Sequence, residues 1–183
     1  EVSFSSGVKS IGEEAFIYCD KLANINIPVS VTEIGVRAFC KCSSLKSINL
    51  GNNVMSIGTE AFRYCDALTS VNLGKSLTTI GTYAFGSCTS LASITLPDSL
   101  TAIDDGVFSN CSSLSSITIG SGVKSIGANA FKSCSAVTSI IIPDSVTSIG
   151  NHAFYSCKSL TSITIPDSVT SIGSYAFYNT SYY

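Results

Sequence analysis

Charged residues are scarce in this chain, and the few that it has are dispersed. Aspartate, glutamate, lysine and arginine make up 12% of its 183 residues, and the formal net charge is −2. Because the ten basic residues form no cluster, the chain lacks the electrostatic footprint of a protein that binds nucleic acid or anionic lipid. No apolar run approaches the roughly 20 residues that a membrane-spanning helix needs. We therefore predict no nucleic-acid partner and no insertion into a membrane.

Groups that could carry catalysis are equally few. The chain has one histidine, His152, and nothing in the sequence places beside it the nucleophile and orienting group of a catalytic triad. Asp104 and Asp105 share one turn, whereas acid–base catalysis needs two carboxyl groups that face a substrate from different positions. A calcium site would need about six oxygen ligands. We predict that the chain is not an enzyme and has no cofactor, no catalytic residue and no metal site.

The sequence does contain one motif that repeats every 23 residues, with the consensus L-x-x-I-x-I-P-x-S-V-x-x-I-G-x-x-A-F-x-x-C-x-S. A repeat of this length with apolar residues at constant offsets predicts a stacked solenoid, in which each repeat forms one coil. The pattern predicts about eight coils, forming a single domain over residues 1–183. We expect the repeated phenylalanines to stack in its core. They are Phe16, Phe39, Phe62, Phe85, Phe108, Phe131, Phe154 and Phe177.

Within one coil the pattern predicts a mainly β structure. The alternation S-I-T-I indicates a strand with Ile163 facing inward, and Pro166 ends that strand. The following V-T-S-I indicates a second short extended piece with Val169 and Ile172 facing inward. Gly173 is expected to turn the chain through a positive φ. The A-F-x-x-C segment is expected to form one short 3₁₀ or α turn.

A few positions break the repeat. Asp104 replaces the turn glycine of its coil, and glycine replaces proline at Gly51, Gly74 and Gly120. We expect these changes to alter the shape of local turns and to leave the fold unchanged.

Seven of the eight cysteines occupy one column of the repeat: Cys19, Cys42, Cys65, Cys88, Cys111, Cys134 and Cys157. Side chains one repeat apart point the same way, which is poor geometry for a disulfide. We therefore favour buried free thiols, with occasional bridging as the alternative. Cys40 falls in a mostly polar column, so we expect it to face water, either as a neutral substitution or as a reactive thiol.

The outward positions of the longer strand form two polar ladders, which we name the candidate binding face. The first ladder comprises Asn26, Asn49, Asn72, Thr95, Thr118 and Thr164, with Ile141 interrupting it. The second comprises Asn24, Ser47, Ser70, Ser93, Ser116, Ser139 and Ser162. Amide and hydroxyl groups supply donors and acceptors that suit protein loops or glycans. The alternative is that these residues only keep a solvent-facing sheet soluble.

The phrase I-P-x-S-V-x-x-I-G-x-x-A-F-x-x-C, with the L-x-x-L-x-L spacing of Leu160, Ile163 and Ile165, resembles the BspA-like leucine-rich repeats, also called the Treponema pallidum type. The resemblance extends over essentially the whole chain. It implies a right-handed leucine-rich-repeat superhelix with a parallel sheet. It also implies a surface or secreted protein, because several members are adhesins that bind matrix proteins or other cells. The family has no shared catalytic motif.

From this resemblance we expect a non-catalytic protein- or glycan-binding module of a cell-surface or secreted adhesin. Its expected partners are host or neighbouring-cell surface proteins or glycans, and its expected location is extracellular or at the cell surface. Two alternatives remain: an intracellular interaction scaffold, in which unbridged thiols would be stable, and a structural stalk that displays another domain. The repeat is entered midway at Glu1 and no signal peptide is present, so we expect a segment of a longer protein.

Overall fold

The computed structural model describes residues 2 and 4–182, which form a parallel β-solenoid of about seven complete coils. The predicted fold class is confirmed, and the predicted number of coils is approximately right. The strands are β1 (Ser10–Ile11), β2 (Glu33–Ile34), β3 (Ser47–Asn49), β4 (Ser56–Ile57), β5 (Ser70–Asn72), β6 (Thr79–Ile80), β7 (Ser93–Thr95), β8 (Ala102–Ile103), β9 (Ser116–Thr118), β10 (Ser125–Ile126), β11 (Ser139–Ile141), β12 (Ser148–Ile149), β13 (Ser162–Thr164) and β14 (Ser171–Ile172).

Each coil from β3 onward contributes one three-residue strand and one two-residue strand. The two-residue strands form two four-stranded sheets, in the orders β1-β2-β4-β6 and β8-β10-β12-β14. All pairings are parallel and in register one repeat apart, as with Ile34 opposite Ile57. The middle residue of each three-residue strand faces the core, as the alternation predicted, and Ile48 is 3% exposed.

The phenylalanines form a continuous stack through the core, as predicted. From Phe39 to Phe154 the side chains are fully buried, and neighbouring rings are nearly parallel with centroids 5.2–5.7 Å apart. Ile172, predicted to face inward, pairs in register with the buried Ile149 of the preceding coil, but its side chain is 50% exposed. Ile172 lies on the last coil, so only the coil before it packs against it.

The segment that carries the phenylalanine, residues 12–19 in the first coil, is a run of turns. Within the coil, the N–H groups of Ala15 and Ile17 each donate to the carbonyl oxygen three residues back. The N–H of Phe16, between them, donates instead to the carbonyl of Ala38 in the next coil at 2.8 Å. Because alternate N–H groups leave the coil, the predicted short 3₁₀ or α turn stays a series of single turns, and no helix forms in the part of the chain that the structure describes.

The turn glycine of the repeat is required for a different reason from the one predicted. Gly173 does not adopt a positive φ, whereas Tyr175, two residues later, does so at 56°. The glycine lies against the backbone of the preceding coil. At Gly58 a Cβ atom would lie 2.5 Å from the backbone nitrogen of Val36. The missing side chain lets the N–H of Gly58 donate to the carbonyl of Ile34 at 2.8 Å, which extends the sheet by one bond.

Replacing Gly58 with alanine is therefore expected to destabilise the protein by about 1–3 kcal/mol, the usual cost of forcing extra atoms into a packed site. The matched control is Gly12→Ala, in the same column of the first coil, where no atom would lie within 4 Å of the added Cβ. Urea denaturation of the two variants measures the difference. Equal stability of the two would show that close packing of the coils is not what the glycine serves.

The sequence already contains one such substitution, at Asp104. The backbone N–H of Asp104, which corresponds to that of Gly58, makes no hydrogen bond to the preceding coil, and β6 and β8 are not paired. The stacked rings are also farthest apart here, with 5.7 Å between the centroids of Phe85 and Phe108. A side chain at this position thus separates the two coils and interrupts the sheet of two-residue strands.

Candidate binding face and its clefts

The candidate binding face is formed by the three-residue strands and by the equivalent segment of the first coil. Strand alternation turns the middle residue inward and the flanking polar residues outward. All thirteen predicted residues are exposed: Asn24, Asn26, Ser47, Asn49, Ser70, Asn72, Ser93, Thr95, Ser116, Thr118, Ser139, Ser162 and Thr164. Ile141, which interrupts the ladder, is 72% exposed. Asn24 and Asn26 lie in a segment without regular secondary structure.

The strands of this face pair in twos, which the sequence did not predict. β3 pairs with β5, β7 with β9, and β11 with β13. No ladder joins β5 to β7 or β9 to β11. The ladder of this face is therefore interrupted at every second step between coils, although β5 still lies beside β7 and β9 beside β11.

Three clefts open along this face. The cleft between β9 and β11 has a volume of about 350 Å³ and is lined in part by Ile117 and Ile140. The cleft between β5 and β7 has a volume of about 720 Å³ and extends over the turns after the strands as far as Asn52 of the preceding coil. The third, of about 280 Å³, is lined by residues 24–26, Ser47 and Val2, which precedes Ile25 by one repeat. Each combines aliphatic side chains with polar residues of the candidate binding face.

Two residues of the face also have a structural role. The side-chain oxygens of Asn49 and Asn72 each accept a hydrogen bond at 3.1 Å from the N–H of the glycine two residues later. Those glycines, Gly51 and Gly74, adopt positive φ angles of 68° and 70°. The signal in the sequence is Asn-x-Gly, since an asparagine side chain commonly supports such a turn. It explains why glycine replaces proline in these two coils.

Charge is absent from the two ladders, although the exposed Lys46 is the chain neighbour of Ser47. Lys75 and Asp98 line the cleft between β5 and β7, and they carry opposite charges. Asp98 accepts hydrogen bonds from the N–H and hydroxyl of Ser121, which lower the pKa of its carboxyl group. The face thus offers hydrogen bonds and apolar contact rather than an electrostatic field.

Six cysteines of the column are buried, as predicted, whereas Cys19 in the first coil is only partly buried. The column also makes hydrogen bonds that the sequence did not reveal. The Sγ of Cys88 donates to the carbonyl oxygen of Phe62 in the preceding coil at 3.2 Å, and Cys111 does the same to Phe85 at 3.1 Å. Burial raises the pKa of Cys111 to about 12, and a hydrogen bond from the backbone of Cys88 opposes the shift. These thiols therefore remain protonated in the folded protein and are poor nucleophiles.

The exposure predicted for Cys40 is wrong, because its side chain is 5% exposed. Arg37, Glu60 and Arg63 surround it, and their long side chains can cover a position that a polar column would otherwise leave open. Arg37 forms an ion pair with Glu14 at 2.8 Å, and Arg63 pairs with Glu60. Burial, with a smaller contribution from the charge of Glu60, raises the pKa of the Cys40 thiol.

The residues considered for catalysis are not assembled into a site. The ring of His152 packs against Tyr155 and Tyr175, with centroids 5.4 and 5.3 Å away. Asp105 accepts a hydrogen bond from the backbone N–H of Ala128 at 2.7 Å, so it supports a turn. Partial burial, followed by the charge of Asp105, raises the pKa of Asp104.

Within residues 2 and 4–182, no group of three or more histidine, cysteine, aspartate or glutamate side chains is placed to hold a metal ion. In the same residues there is no helix with the length and hydrophobicity needed to span a membrane.

Comparison with protein families identifies the class to which this solenoid belongs. The model of the BspA type leucine rich repeat region matches residues 1–114 and 55–183, in six copies. The chain belongs to the BspA-type leucine-rich repeat family. Proteins built from such repeats are generally non-catalytic. A comparison of the sequence with curated proteins found no match.

Solved structures support the same assignment. A leucine-rich repeat protein of T. pallidum is 30% identical, with a TM-score of 0.69 over 91% of this chain and 67% of that chain. One from Bacteroides ovatus is 28% identical, with a TM-score of 0.55 over 97% of this chain and 58% of that chain. One from Eubacterium ventriosum shares the fold, with 18% identity and a TM-score of 0.62 over 95% of this chain and 68% of that chain. The chain thus spans between about three fifths and two thirds of the length of these neighbours.

Proposed function

We propose that this chain is the non-catalytic binding module of a cell-surface or secreted adhesin and that it holds its partner on the candidate binding face. One observation carries the proposal: an exposed strand face whose two polar ladders are uncharged opens into three clefts along the solenoid. Repeat proteins use extended faces of this kind for binding. Proteins or glycans on the surface of a host or a neighbouring cell are the proposed partners.

The composition of the clefts supports binding rather than simple solubility. A face that only had to stay soluble would gain nothing from apolar floors open to water, such as those formed by Val71 and Ile117. Ligand sites typically combine apolar walls with a few polar groups that fix orientation. The hydroxyl and amide groups of Thr95, Thr118 and Asn72 are placed to act as those polar groups.

The location can be tested by protease treatment of intact source cells, followed by mass spectrometry of the released peptides. We expect peptides of these repeats to be released from unlysed cells. Recovery after lysis alone would exclude the adhesin and leave the intracellular scaffold as the better explanation.

Binding can be tested with a screen of matrix proteins and glycans, comparing the wild type with the double variant Thr95→Lys, Thr118→Lys. Both side chains are exposed on the rims of clefts, so the fold should persist while binding weakens by about tenfold or more, which corresponds to about 1.4 kcal/mol. The matched control is Ser113→Lys, which introduces one charge at an exposed position off this face. Unchanged binding by the double variant would favour the structural stalk.

A further inference from the structure

A polar groove with a volume of about 590 Å³ lies outside the candidate binding face, on the turns that carry the cysteine column. Two rows of side chains form its walls, because the residues on either side of each buried cysteine in this region are exposed or half-buried. The row before the cysteines comprises Asn110, Ser133, Ser156 and Asn179, and the row after them comprises Thr89, Ser112, Ser135 and Lys158. The groove shares no residue with the candidate binding face.

Both rows advance by one residue per coil, in register with the backbone. In the first row, the N–H of Ser133 donates to the carbonyl oxygen of Tyr155 in the next coil at 2.7 Å. In the second row, the hydroxyl of Ser135 donates to the carbonyl oxygen of Ser112 in the preceding coil at 3.3 Å. The lining residues come from five successive coils, and neighbouring coils are about 4.8 Å apart, so the groove is about 19 Å long.

The later coils open this groove because the residues of its first wall change along the chain. In the first three coils the same column carries Tyr18, Lys41 and Tyr64. The ammonium group of Lys41 lies over the rings of both tyrosines, 4.7 and 5.8 Å from their centroids, so long side chains fill the equivalent position. From Ser87 onward the column contains serine and asparagine. The phenylalanine column stays the same throughout, so the change concerns the surface and not the core.

Several polar groups of the groove are free to bind a ligand. In the part of the chain that the structure describes, the side chains of Thr89, Asn110 and Ser133 make no hydrogen bond to the protein. The amide nitrogen of Asn179 donates to the hydroxyl of Ser156 at 3.0 Å, which leaves the amide oxygen available as an acceptor. Hydroxyl and amide groups both donate and accept, so the two walls can satisfy a ligand that does the same.

We propose that the polar groove binds a neutral, linear oligosaccharide, with one sugar unit lying over each coil. Every sugar unit carries hydroxyl groups that donate and accept hydrogen bonds, as the free groups of the walls do. A pyranose unit in an extended β-linked chain advances by nearly the spacing between coils, so the two rows can contact successive units in the same way. This site is separate from the candidate binding face, and the inference therefore goes beyond the proposed function.

Other classes of ligand match the groove less well. A peptide segment needs apolar contacts, and the described residues that line the groove include none that is apolar. A polyanion such as a nucleic acid or a sulfated glycan needs several cations, whereas Lys158 is the one charged side chain among those lining residues. A cationic ligand would meet this lysine without a carboxylate in the lining to balance it. An uncharged chain of hydroxyl groups suits all three features.

The test measures binding of labelled oligomers to the intact chain by fluorescence anisotropy. The probes are neutral β-linked oligomers of glucose, galactose, mannose and N-acetylglucosamine in graded lengths, a sulfated oligosaccharide and a Gly-Ser peptide. We expect at least one neutral series to bind, with an affinity that rises up to about five units, the length that the groove can hold, and levels off beyond it. Tighter binding of the sulfated oligosaccharide or the peptide would overturn the proposal, as would failure of every neutral series to bind.

A matched pair of variants ties the signal to the groove. Ser133→Tyr introduces into the wall the residue that Tyr64 supplies in the same column, and the two positions have φ angles of 60° and 61°. Ser87→Tyr makes the same change in that column at a residue that does not line the groove. We expect Ser133→Tyr to weaken binding of the neutral oligomer about tenfold or more and Ser87→Tyr to change it less than about twofold. Equal effects of the two variants would contradict the proposal.

A second blocking variant guards against a loss of binding through misfolding. Asn110→Tyr introduces the same side chain one coil earlier, again at a φ of 61°. Thermal denaturation identifies which of the variants are folded. Undiminished binding by a folded Ser133→Tyr or Asn110→Tyr variant would overturn the assignment of the groove.

The outcomes also separate this inference from the proposed function. The double variant Thr95→Lys, Thr118→Lys changes the candidate binding face and leaves the groove intact, so we expect it to bind the neutral oligomer as the wild type does. Loss of oligomer binding in this double variant, with none in Ser133→Tyr, would place the oligosaccharide on the candidate binding face and refute the inference alone. Oligomer binding that depends on Ser133, without any partner for the face, would refute the proposed function alone.

Discussion

Raising the pH above about 9 is expected to unfold this protein steeply, because six thiols buried in the cysteine column stay protonated in the folded chain. Burial raises the pKa of Cys42 and Cys157 to about 12 and raises the pKa of Cys65, Cys88 and Cys134 as well. Each has an ordinary thiol pKa of 9.0 once unfolded. A folded-state pKa above the unfolded value gives stability that is present at lower pH and lost as the pH rises through the range between the two values.

The expected size of the effect follows from proton linkage. Above the unfolded pKa, each thiol that ionises only on unfolding lowers the free energy of unfolding by about 1.4 kcal/mol per pH unit. Urea denaturation at a series of pH values between about 8 and 10, with reductant present, measures the combined slope. The free energy of unfolding of the Cys88→Ser variant should fall less steeply with pH, by the contribution of about one thiol, since a serine hydroxyl does not ionise in this range. A flat stability curve would mean that the thiols are not buried as described.

Replacing Phe85 with alanine is expected to cost about 3–5 kcal/mol, the usual range for truncation of a buried aromatic side chain. Phe85 is fully buried and stacks between Phe62 and Phe108, with ring centroids 5.2 and 5.7 Å away. Its truncation therefore leaves a cavity with an aromatic ring on each side. Thermal or urea denaturation measures the loss.

The same truncation at Phe177 provides the comparison. That ring is 6% exposed and stacks on Phe154 at 5.4 Å in the preceding coil, so the site can relax toward solvent after truncation. We expect a smaller loss there than at Phe85. A loss below about 1 kcal/mol for Phe85→Ala would rule out the position assigned to its ring.

The predictable parts of the fold are those in which the polarity of one side chain decides whether it is buried or exposed. Ile48 and Phe62 are buried and Ser47 and Thr95 are exposed because the period of the repeat assigns each column to one face. Stacking of identical coils then makes the neighbours of a residue predictable, since each column lies against itself one repeat away.

The parts that could not be predicted depend on contacts between columns or on small differences between coils. Cys40 is buried although its column is mostly polar, and the charged residues Arg37, Glu60 and Arg63 lie close to it. The role of Gly58 lies in the distance to the preceding coil, which a repeat pattern does not contain. The positive φ angles of Glu14 and Tyr18 could not be predicted either, because non-glycine residues seldom adopt them.

The candidate binding face was predictable in composition but not in shape. Its thirteen residues could be named because strand alternation exposes them. The pairing of strands in twos could not be, since the sequence of β5 and β7 differs little from that of β3 and β5. The positions of the clefts could not be named from the sequence either, since they depend on the spacing of neighbouring coils.

The interruption at Asp104 has a consequence for how the chain folds and unfolds. A solenoid behaves as a one-dimensional array in which each coil is held by its own stability and by its coupling to the next coil. That coupling is weakest where β6 and β8 do not pair, because the backbone bond made by glycine in other coils is missing there. An unfolding front that starts at one end will therefore stop most readily at this boundary. Native-state hydrogen exchange should then resolve two cooperative blocks, one on each side of Asp104.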